Sequence, residues 1–203
     1  MHKAIIFDLG KVLVHFDFRI AYRAMAPFCA HAPESIPKLL SGTGLVERYE
    51  TGLIESPDFV AEISRILDLR VEYGEFRSIF CSIFSDVLIP ESMLESLARR
   101  YRLILLSNTN ALHVEVLREK YGHLLRHFHH RVLSFEVQAI KPQPEIYHAA
   151  LEFAGCRPEE CFYTDDVPEF VEAAKLLGID AVQFESVAGL ETALATRGIC
   201  WSS

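Results

Sequence analysis

Two rhythms of apolar and polar positions divide this chain. Residues 4–7 form an unbroken apolar, β-rich run that ends in a carboxylate, Asp8. Gly10 follows as a turn signal, so the run reads as a buried strand with a turn off its end. From about residue 15 to 86 the rhythm is helical and no convincing strand is read. Helices are expected over roughly 19–30, 36–40, 45–49, 58–67 and 73–84. The break at Ala32-Pro33-Glu34-Ser35 ends the first of these, and Thr51-Gly52 ends the third. Ser56 is the expected cap of the 58–67 helix, with Pro57 in its first turn. Phe59, Ile63, Ile66 and Leu67 then share one face.

Beyond residue 87 strands and helices alternate. A helix from Pro90 to about 101 precedes an apolar strand over 102–106, which runs into Ser107-Asn108-Thr109-Asn110. A helix over 111–121 leads to a short strand over 131–134 and to Ile140-Lys141-Pro142. Pro144 opens a helix to about 154. A strand over 161–163 ends in Thr164-Asp165-Asp166, and a helix over 168–177 stops at Gly178. A strand over 181–184 and a helix over 189–196 complete the pattern. Such alternation predicts an α/β fold: a Rossmann-like, doubly wound parallel sheet with helices on both faces. Residues 1–14 and 87–203 would form this core, and 15–86 an inserted all-helical subdomain.

Composition narrows the function classes. The chain has 203 residues, half of them hydrophobic and 24% charged, with a formal net charge of −8. An acidic balance argues against a nucleic-acid partner and against anionic membranes. No apolar run is long enough to span a bilayer, and no secretion signal is read at the N-terminus. The five cysteines are scattered without a C-x-x-C pair and read as free thiols in a reducing compartment. A cytoplasmic monomer or homodimer is the expectation.

In open parallel sheets, ligands bind at the carboxyl ends of the strands. Those ends here carry Asp8, then Ser107 and Asn108, then Lys141, then Asp165 and Asp166. Carboxylates from Asp8 and Asp166, with a backbone carbonyl and waters, make an oxygen site suited to Mg²⁺. A hydroxyl, an amide and a lysine make a cradle for a phosphoryl group. A carboxylate beside Mg²⁺ and lysine stays ionised and can act as a nucleophile.

Phe7-Asp8-Leu9-Gly10, Leu106-Ser107-Asn108, Lys141-Pro142 and Asp165-Asp166, in this order, resemble the four motifs of the haloacid dehalogenase superfamily. The match covers the whole chain, and the helical insert resembles that family's α-helical cap of the first kind. Within the family the motifs look most like those of sugar-phosphate phosphatases such as α-D-glucose-1-phosphate phosphatase. The resemblance implies a Mg²⁺-dependent phosphatase acting on a small phosphorylated metabolite. Asp8 would attack phosphorus and form an aspartyl-phosphate. Ser107 and the Asn108 backbone would hold the phosphoryl oxygens, and Lys141 would pair with Asp8 and phosphate. Asp166 would bind Mg²⁺, with Asp165 as a second ligand or behind it, and the Gly10 carbonyl would be a further ligand.

The sequence departs from the family pattern at three places. Most phosphatases of the family carry an acid–base Asp two residues after the nucleophile, where this chain has Gly10. A leaving group of low pKa, a proton donor from the insert, or weak catalysis would each accommodate that change. Lys11 and Val12 replace the usual Gly and Thr; Lys11 reads either as added positive charge near the phosphate or as a solvated loop lysine. Phe170 stands where relatives often have Asn. Carbon–halogen hydrolysis and a non-catalytic binding role are the alternatives to phosphatase activity. The histidines at 123, 127, 129 and 130 read as a surface or core-edge feature. Arg48, Tyr49 and Glu50 read either as a solvated helix face or as substrate-facing residues. The phenylalanines at 16, 18, 28, 59, 76, 80 and 84 read as insert core.

Overall fold

The computed structural model describes residues 1–201. Its centre is a five-stranded sheet in the order β5-β4-β1-β6-β7, every neighbouring pair parallel. The strands are β1 (Ala4–Phe7), β4 (Arg102–Ser107), β5 (His130–Leu133), β6 (Cys161–Asp165) and β7 (Asp180–Gln183). The side-chain period of two splits β1 between two apolar layers. Ile5 and Phe7 join one cluster with Leu103 and Leu105, while Ala4 and Ile6 join another with Ile104 and Leu106. Helices cover both faces, as near-continuous apolar strands require. The doubly wound α/β expectation therefore holds.

Core helices follow the expected order: α6 (Glu91–Ala98), α7 (Ala111–Leu125), α9 (Pro144–Ala154), α10 (Pro168–Leu176) and α11 (Val187–Thr196). Helix α7 runs four residues beyond its expected end, through a kink at Tyr121. A short helix, α8 (Ser134–Val137), was not anticipated; the third strand ends at Leu133, and Ser134 opens this helix instead of closing the strand. The helical block holds α1 (Phe18–Met25), α2 (Ile36–Leu40), α3 (Leu45–Glu50), α4 (Ser56–Leu67) and α5 (Tyr73–Phe80).

Two expectations for the block need correction. It is not purely helical: β2 (Val14–Phe16) and β3 (Phe84–Val87) pair antiparallel where the chain leaves and re-enters the core. Three residues are too few to show a strand rhythm, and β3 has polar Ser85 and Asp86 exposed at its centre. Ser56 does not cap α4. Glu55 takes the cap position, and the Ser56 hydroxyl bonds to the Tyr49 hydroxyl at 2.7 Å. Phe59 and Phe76 are fully buried in an apolar cluster that also contains Phe7, Leu105 and Leu112 of the core, so the cap and core are packed together.

Candidate active site

Strand register assembles the site. Phe7 pairs with Leu105 of β4 and Thr164 of β6. One residue further on, Asp8 therefore lies level with Leu106 and Asp165, about 4.8 Å away on either side. The Asp8 N–H still donates to the Thr164 carbonyl at 3.0 Å, so the nucleophile candidate is held by the sheet ladder itself.

Lys141 enters this row from the loop before α9. Its Nζ donates to Asp8 Oδ1 at 2.6 Å, to Asp165 Oδ2 at 2.6 Å and to the Leu106 carbonyl at 3.3 Å. All three ammonium hydrogens are thus satisfied. The lysine is 3% exposed, Asp8 6% and Asp165 0%, so these are buried ion pairs. Asn108 fixes the lysine backbone from both sides: its Oδ1 accepts from the Lys141 N–H at 2.8 Å, and its Nδ2 donates to the Lys141 carbonyl at 3.1 Å. The Phe170 ring lies 5.1 Å from Nζ, an apolar floor that also offers a π face to the cation.

The adjacent acids differ in their commitments. Asp165 accepts from Lys141, from the Tyr163 hydroxyl and from the Val167 N–H. The Asp166 side chain is partly exposed and meets Lys11 Nζ at 4.0 Å. Oxygen atoms of Asp8, Asp165 and Asp166 lie within 4.8 Å of one another, the one cluster of three candidate metal ligands among the described residues.

Electrostatics follow from this crowding. Burial, reinforced by the Asp165 charge, raises the Asp8 pKa to about 7 even though Lys141 pulls it down. Burial would lower the Lys141 pKa, but the carboxylates of Asp8 and Asp165 outweigh it and raise it. Burial and Asp165 also raise Asp166, against the pull of Lys11 and Lys141. Three carboxylates with one buried ammonium leave unbalanced negative charge. A hard, oxygen-lined, anionic pocket fits a divalent cation.

The turn after β1 sets the surroundings of residues 10 and 11. Lys11 adopts a left-handed backbone at φ 57°, the conformation that favours the glycine usual there. Its side chain is exposed, with Nζ 5.3 Å from the Phe16 ring. Gly10 is pressed against that same ring: a Cβ at residue 10 would stand 2.4 Å from Phe16 Cε1. Phe16 thus closes the space that an acid at this position would need, a role invisible in the local pattern.

A family model for haloacid dehalogenase-like hydrolases matches residues 2–178. The chain belongs to the haloacid dehalogenase-like hydrolases. This hydrolase is 26% identical over 195 residues to D-ribitol-5-phosphate phosphatase of Bacteroides thetaiotaomicron, covering 92% of this chain and 93% of the relative. It superimposes at a TM-score of 0.79 on a Bacteroides thetaiotaomicron HAD family enzyme crystallised with magnesium and inorganic phosphate, at 26% identity, over 92% of this chain and 96% of that one. A HAD-like hydrolase from Porphyromonas gingivalis superimposes at 0.84, with 25% identity, over 97% and 98% of the two chains.

Ser107 is buried at the end of β4 in this hydrolase, and with Asn108 and Gly10 it lines a cavity of about 80 Å³ between core and cap. Glu50 lines the same cavity, as its substrate-facing alternative expects and its solvated-face alternative does not. Its neighbours separate: Arg48 pairs with Glu62 at 3.2 Å, and Tyr49 is buried with its ring stacked 4.1 Å from Phe59. Three of the four histidines in the run make structural contacts. His127 bonds Glu91 at 3.0 Å, His129 Nδ1 accepts from the Leu103 N–H, and the His130 ring stacks on Phe153. All five cysteines are free thiols. Among the described residues no helix is long and apolar enough to cross a membrane.

Proposed function

We propose that this chain is a Mg²⁺-dependent phosphatase that hydrolyses a small phosphorylated metabolite, a sugar or polyol phosphate, through an aspartyl-phosphate intermediate. The observation that carries the reading is the buried row Asp8–Lys141–Asp165 with Asp166 beside it. The match to a polyol-phosphate phosphatase over most of both chains supports it.

Asp8 is the nucleophile: its Oδ1 is held by the lysine, and Oδ2 is left to attack phosphorus. Lys141 fixes that carboxylate and offsets charge on the transferring oxygens. The Ser107 hydroxyl and the Asn108 N–H hold the phosphoryl group at the end of β4, and Lys11 adds positive charge at the rim. Asp8, Asp166 and the Gly10 carbonyl would hold the magnesium. Asp165, with both oxygens already taken by protein donors, orients Lys141 from behind. When bound, the ion supplies Lewis-acid charge to the phosphoryl oxygens.

Phosphate release from a panel of polyol, sugar and acyl phosphates tests the proposal. Turnover is expected with Mg²⁺, lost with chelator, and lost in Asp8→Asn. Chelator-insensitive release of halide from a haloacid would replace the reading with dehalogenation. Silence on every phosphate and haloacid would replace it with a binding role.

A further inference from the structure

Phosphoryl transfer from an alcohol leaves one proton to account for. Gly10 cannot supply it, and the Phe16 ring, 2.4 Å and 2.9 Å from a notional Cβ, would have to move to admit a side chain there. A donor for an alkoxide leaving group therefore enters from another element.

The cavity beside Gly10 has two acid–base side chains in its wall, His113 and Glu50. His113 is occupied. Its Nδ1 lies 3.1 Å from Asn110 Nδ2, its ring stacks on Phe80 at 4.5 Å, and burial drives its pKa down to about 4. It is neutral and walled in. Glu50 is partly buried, and its carboxyl makes no hydrogen bond or ion pair among the described residues. It stands in the wall shared with a second, mainly apolar cavity of about 130 Å³ inside the cap.

Contacts on both sides fix where Glu50 points its backbone. One residue before it, the Tyr49 hydroxyl accepts from the Leu112 N–H at 3.2 Å, at the start of α7. Two residues after it, Gly52 lies so close to α8 that a Cβ would stand 2.1 Å from the Phe135 carbonyl oxygen. The last turn of α3 is thus clamped onto the core at two points, with Glu50 between them in the wall of the cavity that Gly10, Ser107 and Asn108 also line.

The geometry points to Glu50 as the acid–base residue of this site, delivered from the cap in place of the missing core acid. The inference rests on the phosphatase reading above. In the first step the Asp8 Oδ–P bond forms as the P–O bond to the leaving group breaks, and the Glu50 carboxyl proton passes to the leaving oxygen. In the second, a water oxygen bonds to phosphorus as the P–O bond to Asp8 breaks, and the Glu50 carboxylate takes the water's proton. Phosphate departs and both side chains are restored.

The environment suits that double duty. Burial, helped by Glu47 on the same helix, holds the Glu50 carboxyl up at about 7, so both forms are populated near neutrality. The other titratable groups lining the two cavities are neutral there: His113, and the Tyr22 and Tyr49 phenols, which burial raises.

Glu50→Gln keeps the shape and removes the acid. The test compares kcat/KM on the sugar or polyol phosphate turned over fastest in the panel with kcat/KM on p-nitrophenyl phosphate, whose nitrophenolate leaves without a proton. The ratio of the first to the second should fall by about 10²–10⁴ in Glu50→Gln and recover partly in Glu50→Asp. Nitrophenolate should also appear as a burst of one equivalent per enzyme, because hydrolysis of the aspartyl-phosphate has lost its base. A ratio within about threefold of wild type, whether or not both activities fall, overturns the assignment. Wild-type protein that fails on p-nitrophenyl phosphate and on the whole panel sinks the phosphatase reading instead.

Discussion

Replacing Gly10 with alanine tests whether Phe16 is what keeps the residue two past Asp8 small. The added Cβ would lie 2.4 Å from Phe16 Cε1 and 2.9 Å from Cδ1. Carbon atoms in contact rest about 3.5–4.0 Å apart, so the ring must retreat by about 1 Å. It is not free to do so: the Phe18 ring is centred 5.4 Å away, the Phe84 ring 6.4 Å away, and Lys11 Nζ sits over its face. Overpacking of this kind costs about 1–3 kcal/mol. In a domain of this length each kcal/mol moves Tm by about 2–4 °C. Urea melts of wild type, Gly10→Ala, Phe16→Ala and the double variant form a complete cycle. Phe16→Ala alone loses ring packing. In the double variant the alanine at residue 10 meets no ring, so the two single costs should exceed the double cost by about 1–2 kcal/mol. A Gly10→Ala protein within about 0.5 kcal/mol of wild type, or single costs that merely add, would refute the steric account.

Three further outcomes are expected. Lys141→Met removes the ammonium that lies 2.6 Å from each of two buried carboxylates, so the fold should lose about 3–5 kcal/mol along with all phosphate release; a variant that melts like wild type contradicts the buried pairing. Lys11→Gly relieves a residue at φ 57°, worth about 1–2 kcal/mol, against about 0.4–1 kcal/mol of extra unfolded-chain entropy. Thermal melts should show equal or slightly higher stability, with KM for the phosphate raised, and a clear loss of stability would count against a strained backbone there. Glu50 is raised from 4.5 to about 7 in the fold, so the protonated form is the one the fold favours. Its contribution is complete below the unfolded value and disappears as pH rises through about 7, a loss on the order of 1–2 kcal/mol once partial exposure is allowed for. The unfolding free energies of wild type and Glu50→Gln should therefore diverge between about pH 5 and about pH 8, and a pH-independent difference would be incompatible with a buried, raised carboxyl.

The strand ends were readable because each is a local pattern. Ala4–Phe7 before Asp8 and Cys161–Tyr163 before Asp165 are apolar runs, and a parallel sheet brings such ends to one edge whatever the loops do. Lys141, 133 residues from Asp8, lies beyond α8 and past the end of β5, so it was placed by its motif; the rule itself joins Asp8 and Asp165. It could not distinguish Asp165 from Asp166, because the difference lies in who donates to them. Lys141, Tyr163 and Val167 donate to the first, while Lys11 lies 4.0 Å from the second. It also missed the β2–β3 pair, since Val14–Phe16 is shorter than one readable period.

Gly10 shows the limit most sharply. That residue 10 is a glycine could be read directly from the chain, yet the ring that crowds it and the position of the cap acid proposed above depend on packing that no spacing encodes. Phe16 reaches back six residues to fill the vacancy, and it does so because β2 leaves the core beside Gly10, bridged to it at Val14. Glu50 comes from a helix whose end is pinned by a tyrosine hydroxyl on one side and a glycine–carbonyl approach on the other. A glycine at residue 10 and a clamped acid from the cap are thus two halves of one arrangement. With the ring in place a core acid would be crowded, and without the clamp a cap acid would have no fixed position from which to act.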